Sequence, residues 1–443
     1  MPKPMVPGRS VGVYLGLGDL VLSIVVPLIV FGAWIKTGRG IYVYPAITME
    51  LVALVVLLTV WLYLLSPYVA RLFLPVAGVF LALMPRLGRR MFGLFALVYL
   101  GSSVLFLAQG LSRNRYDDVR ASENLGATAF VTVLFVCKTF VAAQVFYSLV
   151  TGRVHPRSGP YWLAVLVATV LAIDGLAQTM LVGVIFCFVM FRGPFRAFLQ
   201  APIFRKPLSV LALGTMAAFL WVCGIAFKAG SVGETVASLR DREFVEHHMS
   251  WLVDRVSTLY FAAGYAVNTA VEDPSINPRA RAIVVNQFRF RLCVVTSGAD
   301  CARFKDDYGA LSRFNFINIR TGDAGKAGAS AGVLGSIAYL VPLYWVPVVA
   351  LLFYGAVAAV IDAAIGKVRF RPTLAALIVY GYLLRGLFLD PAGFLNPISP
   401  PFIGLMSFML ASAQFYHLRG RRAPAAPDDP ARVRPAVPAL DGA

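Results

Sequence analysis

The chain reads as an all-α polytopic membrane protein with one large, partly helical extracytoplasmic loop, and three features predict it. Hydrophobic residues make up 59% of the 443 and charged residues only 14%, far more apolar than a soluble domain of this length needs. The apolar residues fall in blocks of roughly twenty, about what a helix needs to cross ~30 Å of hydrocarbon. Between the blocks stand short basic clusters, the form the positive-inside bias takes in a sequence. In lipid every backbone N–H and C=O must be paired within the segment, so the blocks are expected as helices. They are too long and too uniformly apolar for barrel strands.

Candidate spans lie at 11–34, 45–65, 71–85, 91–110, 127–150, 160–174, 176–192, 208–227, 333–361, 373–389 and 398–415. That makes about eleven crossings, within a range of about ten to twelve. The chain divides accordingly into N-terminal membrane helices (1–227), the large loop (228–332), C-terminal membrane helices (333–415) and a tail (416–443). The tail is rich in Pro and Ala after Arg422 and is expected to be disordered. The first block, from about Val11 to Trp34, is too long for the apolar core of a signal peptide and is expected to remain a membrane helix.

Orientation follows from the connectors. Arg86, Arg89 and Arg90; Arg153 and Arg157; Arg192, Arg196, Arg205 and Lys206; and Lys367, Arg369 and Arg371 mark cytoplasmic loops, and Arg419, Arg421 and Arg422 open a cytoplasmic tail. Segment 111–125, the turn at Asp174, the loop 228–332 and the turn 390–397 then face the other, extracytoplasmic side. One conflict stands: an odd count puts Lys3 and Arg9 outside, so either span 71–85 is not a true crossing or the rule fails at the N-terminus. The net charge of +18 suggests nucleic acid in a soluble protein, but here it is accounted for by the loop clusters, and nucleic acid is not an expected partner.

Within the large loop, Glu234–Ala270 has apolar residues at helical spacing, Ala282–Val295 alternates and reads as helix or strand, and 298–332 reads as irregular. Cys293 and Cys301 fall together in this loop. In an oxidising compartment they would close a local disulfide; otherwise they are two free thiols. A loop this long is uncommon unless it is functional.

Several chemistries lack their motifs: no Walker A loop, no zinc-ligand spacing and no nucleophile elbow is present, and His247 and His248 are adjacent rather than one turn apart. Arginine on the outer side stands out instead. Arg113, Arg115 and Arg120 lie in SRNRYDDVRASE, Arg255 in LVDRVSTLYF, Arg313 and Arg320 before a glycine-rich segment, and Arg385 in YGYLLRGLFLDP. Guanidinium is planar, permanently charged and bidentate toward phosphate oxygens, which suits a pyrophosphate. Arg385 lies close to hydrocarbon, where a charge is costly unless it is used; snorkelling or a bridge to Asp390 is the structural alternative. In TGDAGKAGASAGVLGS (321–336) the small residues permit close backbone approach, and free N–H groups at Gly332-Val333 favour an anion; close helix packing is the alternative. Asp117-Asp118 is either an acidic pair of the kind found in outer loops of lipid-linked-sugar transferases or a turn. Glu246, His247 and His248 supply a candidate general base or are polar surface.

Three patches resemble one family, the O-antigen and oligosaccharide repeat-unit polymerases of the Wzy type. LVDRVSTLYFAAGYAVN is similar to their loop helix, GASAGVLGSIAYLVPLYWVPVVALLFYG to their loop-to-span junction, and LIVYGYLLRGLFL to a late span bearing a lone arginine. The overall plan is similar as well. The resemblance implies a membrane glycosyltransferase without metal, nucleotide sugar or other cofactor, joining undecaprenyl-pyrophosphate-linked repeat units on the periplasmic face into O antigen, capsule or exopolysaccharide. It implies pyrophosphate contacts from Arg255, Arg320 and Arg385, with Arg113, Arg120 and Gly332 as further substrate-binding candidates, and His248 or Glu246 taking the acceptor proton. Implied partners are the lipid-linked oligosaccharide, membrane lipid, and the chain-length regulator and flippase proteins of the pathway. A flippase for lipid-linked oligosaccharide, an O-antigen ligase and a polyprenyl-phosphate-sugar transferase are the competing expectations.

Overall fold

The computed structural model describes residues 10–31, 49–85, 89–108, 237–273, 275–296, 301–304, 311–319 and 330–365, together with the isolated positions 136–137, 140–141, 211, 215, 387–388, 391–392, 402, 405–407, 409–410 and 413. Among the described residues the secondary structure is helical throughout, with no strand. The helices are α1 (Val11–Leu20), which runs through a π-helical turn (Val21–Val25) into α2 (Val26–Phe31), then α3 (Met49–Leu64), α4 (Ser66–Leu83) and α5 (Arg89–Ala108). After the undescribed middle of the chain come α6 (Arg242–Glu272), α7 (Ile276–Thr296), α8 (Leu311–Ile319), α9 (Gly332–Leu340) and α10 (Val346–Ile365).

Two of the described helical segments, Ser66–Leu83 and Leu343–Ala363, are long and apolar enough to cross a membrane. Their burial differs: 56% of the second is enclosed against 28% of the first, so α10 is central and α4 peripheral. The outward face of α4 carries Leu72, Val76, Val79 and Leu83, spaced by four, three and four residues and all exposed. That periodic apolar stripe is what a helix presents to lipid and what water-exposed helices avoid. Val56, Val60 and Tyr63 continue a similar face on α3.

α10 is held by close backbone approach on two sides. Against α1, a Cβ on Gly12 would overlap the backbone of Ala358, and one on Gly16 would stand 2.9 Å from Cδ1 of Tyr354. The contacts rise along α1 as they fall along α10, so the two helices are antiparallel. Small residues four apart are the usual means of bringing membrane helices this close. On the other side Gly355 faces Val69 and Ala70 of α4, and Val13, Ala70, Ala77, Ala358 and Ala359 form one buried cluster. Ser10 caps α1 by accepting from the Val13 N–H at 3.1 Å, and its hydroxyl donates to Asp362 at 2.6 Å, fixing the start of α1 beside the end of α10.

Two sequence expectations are revised in detail. Spans 45–65 and 71–85 are separated by no loop: Leu65 keeps right-handed helical dihedrals, its N–H bonds to the Trp61 carbonyl at 2.7 Å, and its own carbonyl accepts from Val69 at 3.0 Å. Pro67, which has no N–H to give, sits in the first turn of α4 and removes the bond that the Tyr63 carbonyl would otherwise accept. The expected single span 333–361 is interrupted. α9 stops at Leu340, Val341 is extended ahead of Pro342 as a residue preceding proline prefers to be, and a 3-10 turn (Leu343–Trp345) leads into α10.

Candidate functional site

The region expected as a large loop is not a layer apart from the apolar core. α6 has 31 residues, about 46 Å at 1.5 Å per residue. Its first turn is polar and capped by Asp241, which accepts from the Glu243 N–H at 3.0 Å. Its last third, Tyr260–Ala270, is almost wholly buried. There α9 lies directly on it: a Cβ on Gly335 would stand 2.9 Å from Cα of Ala263 and 3.0 Å from Cβ of Ala266. Burial pushes the Tyr260 phenol up to about 12, further above neutrality than its ordinary value of 10.

Asparagines lock the other helices of this platform. Pro342 ends α9 and leaves its last carbonyls without helical partners. Asn277, buried at the start of α7, supplies them: its Nδ2 donates to Ala338 O at 2.9 Å, Tyr339 O at 3.0 Å and, more weakly, Val341 O at 3.3 Å. Asn315 on α8 is fully enclosed, accepting from the Tyr339 hydroxyl at 2.6 Å and donating to Ala262 O at 3.4 Å. The Tyr265 hydroxyl donates to Asn318 O at 2.7 Å. α8 is therefore a wedge bonded to both α6 and α9, within the stretch 298–332 that reads as irregular in sequence. The alternating stretch 282–295 resolves as helix, inside α7. Cys293 and Cys301 are joined in a disulfide with Cα atoms 5.8 Å apart, tying the end of α7 to the 3-10 turn Ala302–Phe304.

Gly332 is the first residue of α9 and has φ +65°, a conformation that favours glycine. A Cβ there would lie 3.9 Å from the Phe388 carbonyl, three residues along the chain from Arg385. The Tyr354 ring of α10 also lies 6.0 Å from the Phe388 ring. The three patches that carry the family resemblance thus converge: the loop helix meets the junction at Gly335, and the late span meets it at Gly332.

The expected site residues are distributed as follows. Glu246 is exposed on the first turns of α6 and accepts an ion pair from Arg242 at 2.7 Å. His248 and Arg255 lie on α6, with side chains outside the described residues. Arg113, Arg120, Arg320 and Arg385, as well as Asp117 and Asp118, lie outside the described residues altogether. Glu246 belongs to the polar end of α6 and Gly332 to the buried platform at its other end.

Asn277, Asn315, Asp19 and Asp362 are the polar residues sequence reading missed. The two aspartates carried a readable signal, an ionisable side chain inside an apolar block. The asparagines carried none, since their partners are backbone carbonyls distant in sequence. No family model matches the chain, no curated protein matches it, and no solved structure matches it.

Proposed function

We propose that the protein is a multi-pass protein of the bacterial inner membrane that polymerises undecaprenyl-pyrophosphate-linked oligosaccharide repeat units into a surface polysaccharide on the periplasmic face. The observation that carries this reading is the convergence of the three resembling patches on α9, at Gly335 against Ala263 and at Gly332 against Phe388. Pyrophosphate is a good leaving group, so such an enzyme mainly positions two lipids and stabilises developing negative charge. A rigid platform beside the spans, with Arg255 on its helix and Arg385 on the adjoining segment, suits that task. The disulfide in the platform agrees with an oxidising compartment. The reaction, on this reading, draws on no metal or nucleotide: the arginines hold the pyrophosphate and His248 or Glu246 takes the acceptor proton.

Deletion of the gene in its native host, followed by gel analysis of the surface polysaccharide, tests the reading. The expected result is loss of the long ladder with a single-repeat band retained, restored by wild type but not by Arg255→Ala or Arg385→Ala. A normal ladder in the deletion overturns it.

A second reading, a transporter or flippase for lipid-linked oligosaccharide, is favoured by Asp19, a part-buried carboxylate within the first candidate span. Intramembrane carboxylates are a mark of transport pathways. Loss of every band in the deletion strain, the single repeat included, turns the reading to this one or to an O-antigen ligase.

A further inference from the structure

Two carboxylates lie along the seam between α1 and α10, and their partners differ in kind. Asp362 accepts from the Ser10 hydroxyl at 2.6 Å and, at 3.4 Å, from the backbone N–H of Gly12, one of the donors every helix start leaves free. A backbone N–H only donates, so the Asp362 oxygen that faces Gly12 stays an acceptor with a capping duty, and only its other oxygen meets a hydroxyl. Asp19 accepts from the Tyr354 hydroxyl at 2.5 Å on one oxygen and from the Ser23 hydroxyl at 3.3 Å on the other. A hydroxyl donates or accepts according to its rotation. Ionised Asp19 accepts from both partners; protonated Asp19 donates to one of them, with no heavy atom moved.

The backbone around this group is specialised. Gly16, one turn earlier, is what lets the Tyr354 ring reach α1. Directly after Asp19 the helix widens into the π-helical turn Val21–Val25, where the Val26 N–H reaches back to Val21 O, and Pro27 withholds the N–H that the Ser23 carbonyl would otherwise accept. Such π turns interrupt a helix at functional positions more often than elsewhere.

Among the described side chains no Lys, Arg or His bonds Asp19. The titratable groups described on the surrounding helices are Tyr14 on α1, Tyr63 on α3, Arg242, Glu243, Glu246, Tyr260, Tyr265 and Glu272 on α6, and Tyr354 and Asp362 on α10; of these only Tyr354 bonds it. On α6 the side chains of His247, His248, Asp254 and Arg255 lie outside the described residues, as does that of Glu50 on α3.

We propose that Asp19, with Tyr354 and Ser23, is a proton-binding site in the α1–α10 seam: the carboxyl takes up and releases a proton, and the two hydroxyls reverse their hydrogen bonds to hold either form. The site goes beyond the glycan reading, which requires no proton within the spans.

Labelling with dicyclohexylcarbodiimide tests it. This apolar carbodiimide attacks a protonated carboxyl: the acid proton moves to a carbodiimide nitrogen, the carboxyl oxygen bonds the central carbon, and the acyl group then migrates to nitrogen as a stable acylurea. The full-length protein in lipid nanodiscs is labelled from pH 5 to 9, and the α1 peptide is read by mass spectrometry. The expected result is an adduct on Asp19 whose yield falls at least about tenfold across that range. Tyr354→Phe is expected to move the midpoint of that fall, an effect a packing role alone does not produce, and Asp19→Asn to abolish the adduct. No adduct at any pH, a yield independent of pH, or an unmoved midpoint in Tyr354→Phe overturns the proposal. None of these outcomes alters the polysaccharide ladder, so the two readings fail separately.

Discussion

The α1–α10–α4 seam and the α6–α9 platform both rest on glycine and alanine brought into close contact, but different forces complete them. In the seam the glycines 12, 16 and 355 meet Ala358, Tyr354 and Val69, and the polar groups present are two aspartates and their hydroxyl partners. In the platform Gly335 plays the same part against Ala263 and Ala266, and two buried asparagines then bind backbone carbonyls of neighbouring helices. The difference follows from helix continuity. α1 and α10 run through their contacts, and the backbone groups met by side chains in the seam are first-turn N–H groups of α1, taken by Ser10 and Asp362. α9 is short and ends at a proline, so its terminal carbonyls need outside donors.

The comparison breaks most sharply at the glycines. Gly12→Ala sets a methyl into the backbone of Ala358 and should destabilise the fold by about 3 kcal/mol, read as a lowered thermal midpoint in detergent. An unchanged midpoint would mean that α1 does not lie on α10 as described. Cys301→Ser opens a short covalent loop and should cost about 2.5 kcal/mol by loop-closure entropy. Its signature is faster hydrogen exchange at the end of α7 with the seam amides unaffected; faster exchange throughout would show that platform and seam unfold as one unit. Asn277→Ala strips the donors from the end of α9 and should cost about 2 kcal/mol. Asn277→Asp, of equal size but without donors when ionised, should do no better, and wild-type stability in that variant would remove the capping role. The smallest effect is at Asp273, between α6 and α7, whose carboxyl is held below its ordinary value of 3.8 by hydrogen bonds from the Ser275 hydroxyl and N–H. A lowered carboxyl stabilises the fold above its unfolded value and loses that contribution as the pH falls through its folded one. Ser275→Ala should therefore be slightly less stable at pH 7, with the difference fading below pH 3.8; a difference that persists there would implicate packing instead.

Apolar block length made the helical class legible, and the spacing of small and apolar residues made the α6 helix legible. The Cys293–Cys301 pair was one of two readings left open, and proximity in the chain was its only signal. What escaped was the seating of α6. Its polar start and mixed charges read as an exported helix, while the run Tyr260–Ala270, with alanines that admit Gly335, buries it. Length arguments also fail where proline intervenes. Residues 333–361 have the apolarity of one span, yet Pro342 divides them, and Asn277 makes that division tolerable from 61 residues away in the chain. Of the candidate site, Gly332 showed in the small-residue stretch, whereas its neighbour Phe388 did not, because nothing local couples residue 332 to residue 388.

The helical path through Leu65 also bears on parity. Each crossing of a bilayer exchanges one side for the other, so the side expected for Lys3 and Arg9 turns on whether 45–65 and 71–85 count as one crossing or two. Leu65 passes the chain from α3 to α4 without a loop, so that count rests on the path of a single helical rod and not on a connector that sequence could reveal.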